Sequence, residues 1–500
     1  MNGLQQLDFG SFDKLVQDVK TIAHKSVNEG TAIHEVEKEL LTKFLQLGHA
    51  VLETMFKSFG QGDVGESLDH SEHKKPLRRF PEPSTRTYRS IFGDFQLTRY
   101  FYGKSPSQKS IAIPFDEHFG LPQNRFSLLL ESWVSQLSTS EAIHEAMDKL
   151  HSILGIRINV DSAERILSRT GATAEIFQDN LPPVEVAAEG ELLVQSTDNK
   201  GVAMRNKPAI PTQPVGAPAN RVGPIPDRKQ MATLCGCYSV DRYVRTPAEV
   251  LDALFREETL GNVVTRPRPK QSRYQACMSK TQQHLEDYLN GEVSAIGWLS
   301  EHVLERRQPN QELINLNDGE LSIWTNVEDA QGQNGRIDIL DLLHAIQRVW
   351  DAAAILKPSD RVGFAKTHIR SILDGNVKSV IQSFRWQATH IFLSGKPAKE
   401  IDRICGFLEN NADRMKYNEY LAKGYPIATG FIEGACRHII KDRMERSGMR
   451  WSIDGARNML YLRCINASSL WKEFVKVHQD KALSLYKNRK NYADSLQLAA

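Results

Sequence analysis

Two short apolar runs in this chain end on aspartate, and a later arginine-rich block opens on glutamate. The runs are Glu191-Leu-Leu-Val-Gln-Ser-Thr-Asp198 and Glu312-Leu-Ile-Asn-Leu-Asn-Asp318-Gly319. Short apolar stretches bounded by turn residues predict buried strands. The later block, from Gly430 through Glu433, Arg437 and Lys441 to Arg446, has helical spacing. Buried strands alternating with helices predict an α/β fold with a mixed sheet. In open sheets of this kind, groups at the carboxyl ends of neighbouring strands share one crevice. Asp198 and Asp318, with Glu433 reaching in from its helix, would then be able to hold two Mg²⁺ (or Mn²⁺) ions roughly 3.5–4 Å apart. Each acid also has a plainer reading: Asp198-Asn-Lys-Gly and Asp318-Gly are turn signals, and Glu433 complements a helix dipole.

A chain of 500 residues exceeds one ordinary core, so several domains are expected. The net charge of +2 neither requires nor excludes a polyanionic partner, so local charge has to carry that argument. Six scattered cysteines form neither a disulfide framework nor a paired zinc pattern, and read as buried thiols. Neither a secretory pattern nor an apolar run of spanning length is present, which predicts a cytoplasmic protein with no membrane contact.

Along the chain, residues 1–60 carry helical periodicity (Leu15, Val19, Ile22, then Ile33, Val36, Leu40, Phe44) that suits a bundle or a dimer contact. Residues 61–123 read as a linker followed by a small β-hairpin, its turn at Gly93-Asp94, whose Arg86, Arg89 and Arg99 either meet a DNA backbone or belong to one solvated and one packed face. Residues 124–185 have helix–turn–helix spacing, with Ser138 or Ser140 and Asp161 or Ser162 as caps and Glu164, Arg165, Ser168 and Arg169 on the DNA-facing side. The same spacing is common in ordinary bundles.

A first core segment spans 186–350, interrupted by a Pro/Gly-rich loop from Arg205 to Asp227 that is expected to be mobile. After the basic loop Arg266-Pro-Arg268-Pro-Lys270 the pattern reads as a long helix through Arg307. A helical insertion (351–424), a glutamate-bearing helix (425–470) and a tail (471–500) follow.

Arg437 and Lys441 stand four and eight residues after Glu433, on one helix face. Arg437, Lys441, Arg443, Arg446, Arg450, Arg457 and Arg463 outnumber Asp442, Glu445 and Asp454, which reads either as a phosphate-binding surface or as a solvated helix face. Trp451 either packs in the core or stacks on a base. Asp341 and His344, at i and i+3 after a strand, form an accessory pair that either positions a nucleic-acid strand or makes a structural hydrogen bond.

These residues carry a resemblance. Tyr425-Pro-Ile-Ala-Thr-Gly-Phe-Ile-Glu433 through Ser447-Gly-Met-Arg-Trp451 resembles the glutamate block of bacterial insertion-sequence transposases of the ISKra type, members of the DDE group. Asp198-Asn-Lys-Gly-Val-Ala-Met204 and Asn317-Asp318-Gly319-Glu-Leu-Ser-Ile-Trp324 are similar to its two aspartate blocks. Asp341-Leu-Leu-His344 is similar to the C/D-x-x-H motif of related enzymes. The resemblance implies an RNase H-like mixed-sheet core with a large helical insertion. It also implies metal-dependent cleavage at element ends and strand transfer into target DNA.

In that reading Asp198, Asp318 and Glu433 are the catalytic metal ligands. Arg437, Lys441, Arg443, Arg446 and Arg450 bind DNA, and the partners are double-stranded DNA at element ends and target, with a homo-oligomer assembling on it. Relatives often carry cysteine pairs near the hairpin; Tyr102-Gly-Lys-Ser-Pro-Ser has none, so no zinc is assigned. The alternatives are a DNA-binding derivative without catalysis and an RNase H-fold nuclease without joining.

Overall fold

The computed structural model describes residues 9–70, 73–106, 110–205, 229–257, 266–281, 288–332, 335–484 and 486. They divide into two compact units, residues 1–173 with 472–500, and residues 174–471. The protein is α/β, with helices around a mixed five-stranded sheet.

The first unit opens with helices α1 (Gly10–Glu29) and α2 (Ile33–Ser58). A hairpin follows, β1 (Ser84–Ser90) with β2 (Gly93–Arg99). Its turn is Ile91-Phe92, two residues earlier than the Gly93-Asp94 reading, because Gly93 is already paired with Ser90. The expected linker holds two short strands, 67–68 and 77–79, in a small sheet with 102–103.

Helices α3 (Leu128–Ser140), α4 (Ile143–Leu154) and α5 (Val160–Gln178) come next. Ser138 and Ser140 lie inside α3, and Glu145 instead accepts the Ala142 N–H at the start of α4. Asn159, rather than Asp161 or Ser162, accepts an N–H at the start of α5.

In the second unit, β3 (Leu192–Ala203), β4 (Lys229–Val240) and β5 (Lys270–Met278) form an antiparallel meander. Residues 270–278 are therefore strand, where sequence periodicity suggested helix; Tyr274 to Met278 are apolar enough to satisfy either period, and burial in the sheet decides. Helix α6 (Pro247–Phe255) lies between β4 and β5, capped by Thr246. After α7 (Gly291–Arg306), strand β6 (Glu312–Asn317), α8 (Leu321–Gln331) and β7 (Arg336–Leu340) complete the sheet in the order β7-β6-β3-β4-β5. Both β6–β7 and β6–β3 pairs are parallel.

Both faces of this sheet are covered. Leu192, Val194, Ile314, Leu316 and Ile339 pack on one side against the helices that follow β7. Leu193, Cys235, Cys237 and Leu313 pack on the other against Ala295, Leu299 and Val303 of α7. That is why these strands read as continuous apolar runs. The six cysteines are free and buried. The helical run after β7 comprises α9 (Leu342–Leu356), α10 (Arg361–Leu373), α11 (Val377–His390) and α12 (Gly395–Asn410).

Amide side chains fix the register at one end of the sheet. Gln195 Nε2 donates to Asn315 Oδ1 (3.1 Å), Asn315 Nδ2 to Asp338 Oδ1 (2.7 Å), and Asn317 Nδ2 to Asn315 Oδ1 (2.7 Å). Asn317 Oδ1 in turn accepts the Thr197 backbone N–H at 2.7 Å, continuing the ladder where β6 itself stops. Beyond that point β3 runs on with β4 alone. Asn317→Leu removes this acceptor in a fully buried position, and a loss of about 1–3 kcal/mol of stability is expected in urea unfolding. Unchanged stability would show that the ladder does not depend on Asn317.

Among the described residues no helix is long and apolar enough to cross a membrane. The Arg205–Asp227 loop lies outside them except for Arg205.

Candidate active site

The carboxyl end of β6 and the exposed extension of β3 border a cavity of about 670 Å³. Asp198, Asp318, Glu433, His344, Arg437 and Lys441 all line it, together with Asn199, Lys200, Glu320 and Asp442. The three acids far apart in sequence thus face one space.

Asp198 sits within β3, paired with Leu234, and is not the strand end that its Asn-Lys-Gly context suggested. It lies three residues past Gln195, the last residue of β3 that pairs with β6, where the two strands part at the cavity. Lys200 Nζ is 3.4 Å from its Oδ2, and the buried Cys436 thiol is hydrogen-bonded to it. Burial first, and the Asp198 charge second, push the Cys436 thiol up, so it stays protonated.

Asp318 follows β6 directly. Its Oδ1 accepts the Glu320 N–H (2.9 Å), a turn contact, and its backbone carbonyl accepts Trp324 Nε1 (2.8 Å). Burial raises its pKa, with the neighbouring Asp198 and Asp341 charges adding to the effect. Glu320 is shifted up in the same way, first by burial and then by Asp318, Glu292 and Asp198.

Glu433 lies in the first turn of α13 (Gly430–Ala435), where Thr429 Oγ1 donates to its Oε1 (3.2 Å). Among the described residues, Asp341, His344 and Glu433 form the group whose ligand atoms all lie within 4.8 Å of one another. Asp341 is fully buried and committed: Oδ1 accepts the Thr429 N–H (2.7 Å), and Oδ2 accepts both the His344 N–H (3.0 Å) and Nδ1 (2.6 Å). It caps α9 and leaves little room for an added cation. Asp198 and Asp318 stand outside that group: they share the cavity with Glu433, but the three carboxylates do not converge to that distance. Carboxylate oxygens are the hard donors that Mg²⁺ takes.

The basic residues divide into two sets. Arg437 and Lys441 are exposed at the cavity, and Arg446 and Arg450 are exposed further along. Arg443 is not available to DNA: it is 1% exposed, stacked over Trp451 at 4.8 Å and bonded to Met449 Sδ. Trp451 is structural as well, donating Nε1–H to Met444 O and pairing with the end of β3. Arg457 is buried beside Glu175.

Arg463 donates to the carbonyls of Ile439 and His438. These carbonyls lie in a π-helical segment, Cys436–Lys441, which interrupts the expected continuous α-helix and frees backbone groups that Arg463 satisfies. Burial lowers the Arg463 pKa to about 10.

In the first unit, Arg99 and Arg86 pair with the buried Asp116, and Arg89 pairs with Asp94. Their guanidinium groups are turned to these partners rather than to a DNA backbone. Arg169 pairs with Glu131, while Glu164, Arg165 and Ser168 are exposed.

Lys200, Glu320, Thr429 and Cys436 escaped the sequence reading. Lys200 and Glu320 lie two residues after an assigned aspartate, the signal available; nothing local marks Thr429 or Cys436. No protein-family model matches the chain, and no curated protein matches it.

The Asp341 hydrogen bond raises the His344 pKa above its ordinary 6.5 against the opposing effect of burial. The stabilisation this gives is complete below the ordinary value and fades as pH rises through the raised one. In EDTA, the His344 imidazole resonance is expected to titrate above 6.5 and to drop in Asp341→Asn. An unshifted titration in both proteins would remove the pair from the account.

Proposed function

We propose that the protein is a DNA transposase of the DDE group, cutting at element ends and joining the freed strand to target DNA. The observation that carries the reading is the convergence of Asp198, Asp318 and Glu433 on one cavity that also exposes Arg437 and Lys441. The sheet order supports an RNase H-like core: an antiparallel meander, then two parallel strands, with the first and fourth strands side by side. The helical run between β7 and Glu433 matches the insertion such a core would carry.

In this reading Asp198, Asp318 and Glu433 would hold two Mg²⁺ (or Mn²⁺) ions. These ions supply Lewis-acid activation of the attacking oxygen and charge stabilisation at the leaving one. Arg437 and Lys441 bind the phosphates on either side of the cut. His344, fixed by Asp341, stands at the cavity wall and orients the strand or its flank. Water oxygen bonds to phosphorus as the P–O3′ bond breaks, leaving a 3′-hydroxyl. That hydroxyl then attacks a phosphodiester of the target, forming a new P–O bond and releasing a target 3′-oxygen.

The test is a strand-cleavage and transfer assay with the DNA flanking the coding region. Asp198→Asn, Asp318→Asn and Glu433→Gln should each lower cleavage roughly 100-fold or more while sparing DNA binding. Full activity in any of them would remove that residue from the site. Nicks without joined product would favour a nuclease, and binding without nicks a non-catalytic derivative. Arg437→Ala should weaken binding and flatten its salt dependence by about one phosphate contact, whereas an unchanged slope contradicts that contact.

A further inference from the structure

Helix α11 ends in a turn whose geometry ordinarily calls for glycine, and this chain places phenylalanine there. The Leu393 N–H bonds to the Ala388 carbonyl and the Phe392 N–H to that of Thr389, the paired bonds of a Schellman cap. Phe392 occupies its left-handed position, at φ +50°. A bulky residue there is strained, and glycine is the usual occupant. Leu393 and Ala388 pack inward on the core and anchor the turn. The Phe392 ring does not: it is 91% exposed. Six residues back, Trp386 is 64% exposed and stacks on His390 at 4.8 Å. Both rings leave most of their surface outside the core, and the capped backbone holds Phe392 outward.

The stretch between Asp374 and Glu400 is basic. From residue 375 to 399 the chain carries Lys378, Arg385, Lys396 and Lys399 and neither aspartate nor glutamate. Arg385 is paired with Glu409, while Lys378, Lys396 and Lys399 are exposed. Protruding aromatic rings set among lysines fit a nucleic acid better than a second protein surface, since stacking and phosphate neutralisation act together there.

This tip is linked to the cavity by α12. Phe407 near its far end packs so closely on Gly319, next to Asp318, that residue 319 has no room for a side chain. Gly395 and Phe407 are about 18 Å apart along the helix. That length corresponds to roughly five nucleotide steps of 3.4 Å.

We infer that the tip formed by Trp386, Phe392, Lys396 and Lys399 is a stacking platform for unpaired DNA bases a few nucleotides from the cut. Duplex DNA hides its base faces, so the rings engage where a strand is frayed or displaced. The inference rests on the proposed DNA substrate and adds a second contact to it.

Phe392→Gly is the informative variant, because relief of the left-handed strain leaves the fold at least as stable as before. Its melting temperature should not fall, yet it should bind a forked DNA, a duplex with one unpaired tail, roughly tenfold more weakly. Binding to the blunt duplex should be unchanged. Trp386→Ala should behave alike, and 2-aminopurine in the tail should be quenched by the wild type and not by Phe392→Gly. Lys396→Ala with Lys399→Ala should lower the salt slope by roughly two.

Wild-type affinity for the fork in Phe392→Gly overturns the inference while leaving the proposed function standing. Reduced self-association in sedimentation with DNA binding intact overturns it in favour of an interface between copies. A wild-type protein that binds neither DNA removes both proposals.

Discussion

The carboxylate of Asp341 joins distant parts of the chain at the cavity. Its backbone N–H bonds to Asn317 O at the end of β6, its side chain caps α9 and orients His344, and its Oδ1 receives the Thr429 N–H just ahead of Glu433. Residues separated by most of a helical insertion are thereby pinned to the strand end that carries Asp318. A buried carboxylate is tolerable only with such partners, and removing one leaves the others unsatisfied. Together with the Leu342 N–H to Ile427 O bond and the packing of Ile427 and Phe431, this buried carboxylate sets Glu433 opposite the strand aspartates.

A second constraint acts on the sheet. Strand β6 stops at Asn317 while β3 continues, and the Asn317 side chain stands in for the missing ladder partner. The cavity begins where the two strands part. Asp198 and Asp318 lie on its two sides, with burial and mutual repulsion raising the Asp318 pKa. The π-helical segment after Glu433 sets Arg437 and Lys441 at the rim, while Arg463 satisfies the carbonyls it frees. Acidic floor and basic rim thus follow from backbone irregularities that the buried polar side chains stabilise.

Much of this was legible in the sequence, and what was not has physical reasons. Apolar runs at 191–198 and 312–318 marked buried strands because both faces of the sheet are covered. The acids at their ends stood out against that apolarity. The 270–278 strand read as helix since a short apolar run has no period of its own. Basic residues were over-assigned to DNA, because composition cannot tell the exposed Arg437 from Arg443, which stacks on Trp451 inside the core. The same holds for Arg86 and Arg99, whose partner Asp116 is close only after folding. Long-range hydrogen bonds such as Thr429 to Asp341 leave no local pattern at all.

The central claim is that Asp198, Asp318 and Glu433 jointly bind divalent cations in the cavity between β3, β6 and α13. Anomalous diffraction from crystals soaked in Mn²⁺ tests it most directly. The account predicts two peaks within the cavity, each contacted by at least one of these carboxylates, with Asp341 retaining its hydrogen bonds to His344 and Thr429. Manganese bound instead by Asp341 and His344, or no peak in the cavity at saturating Mn²⁺, would contradict it.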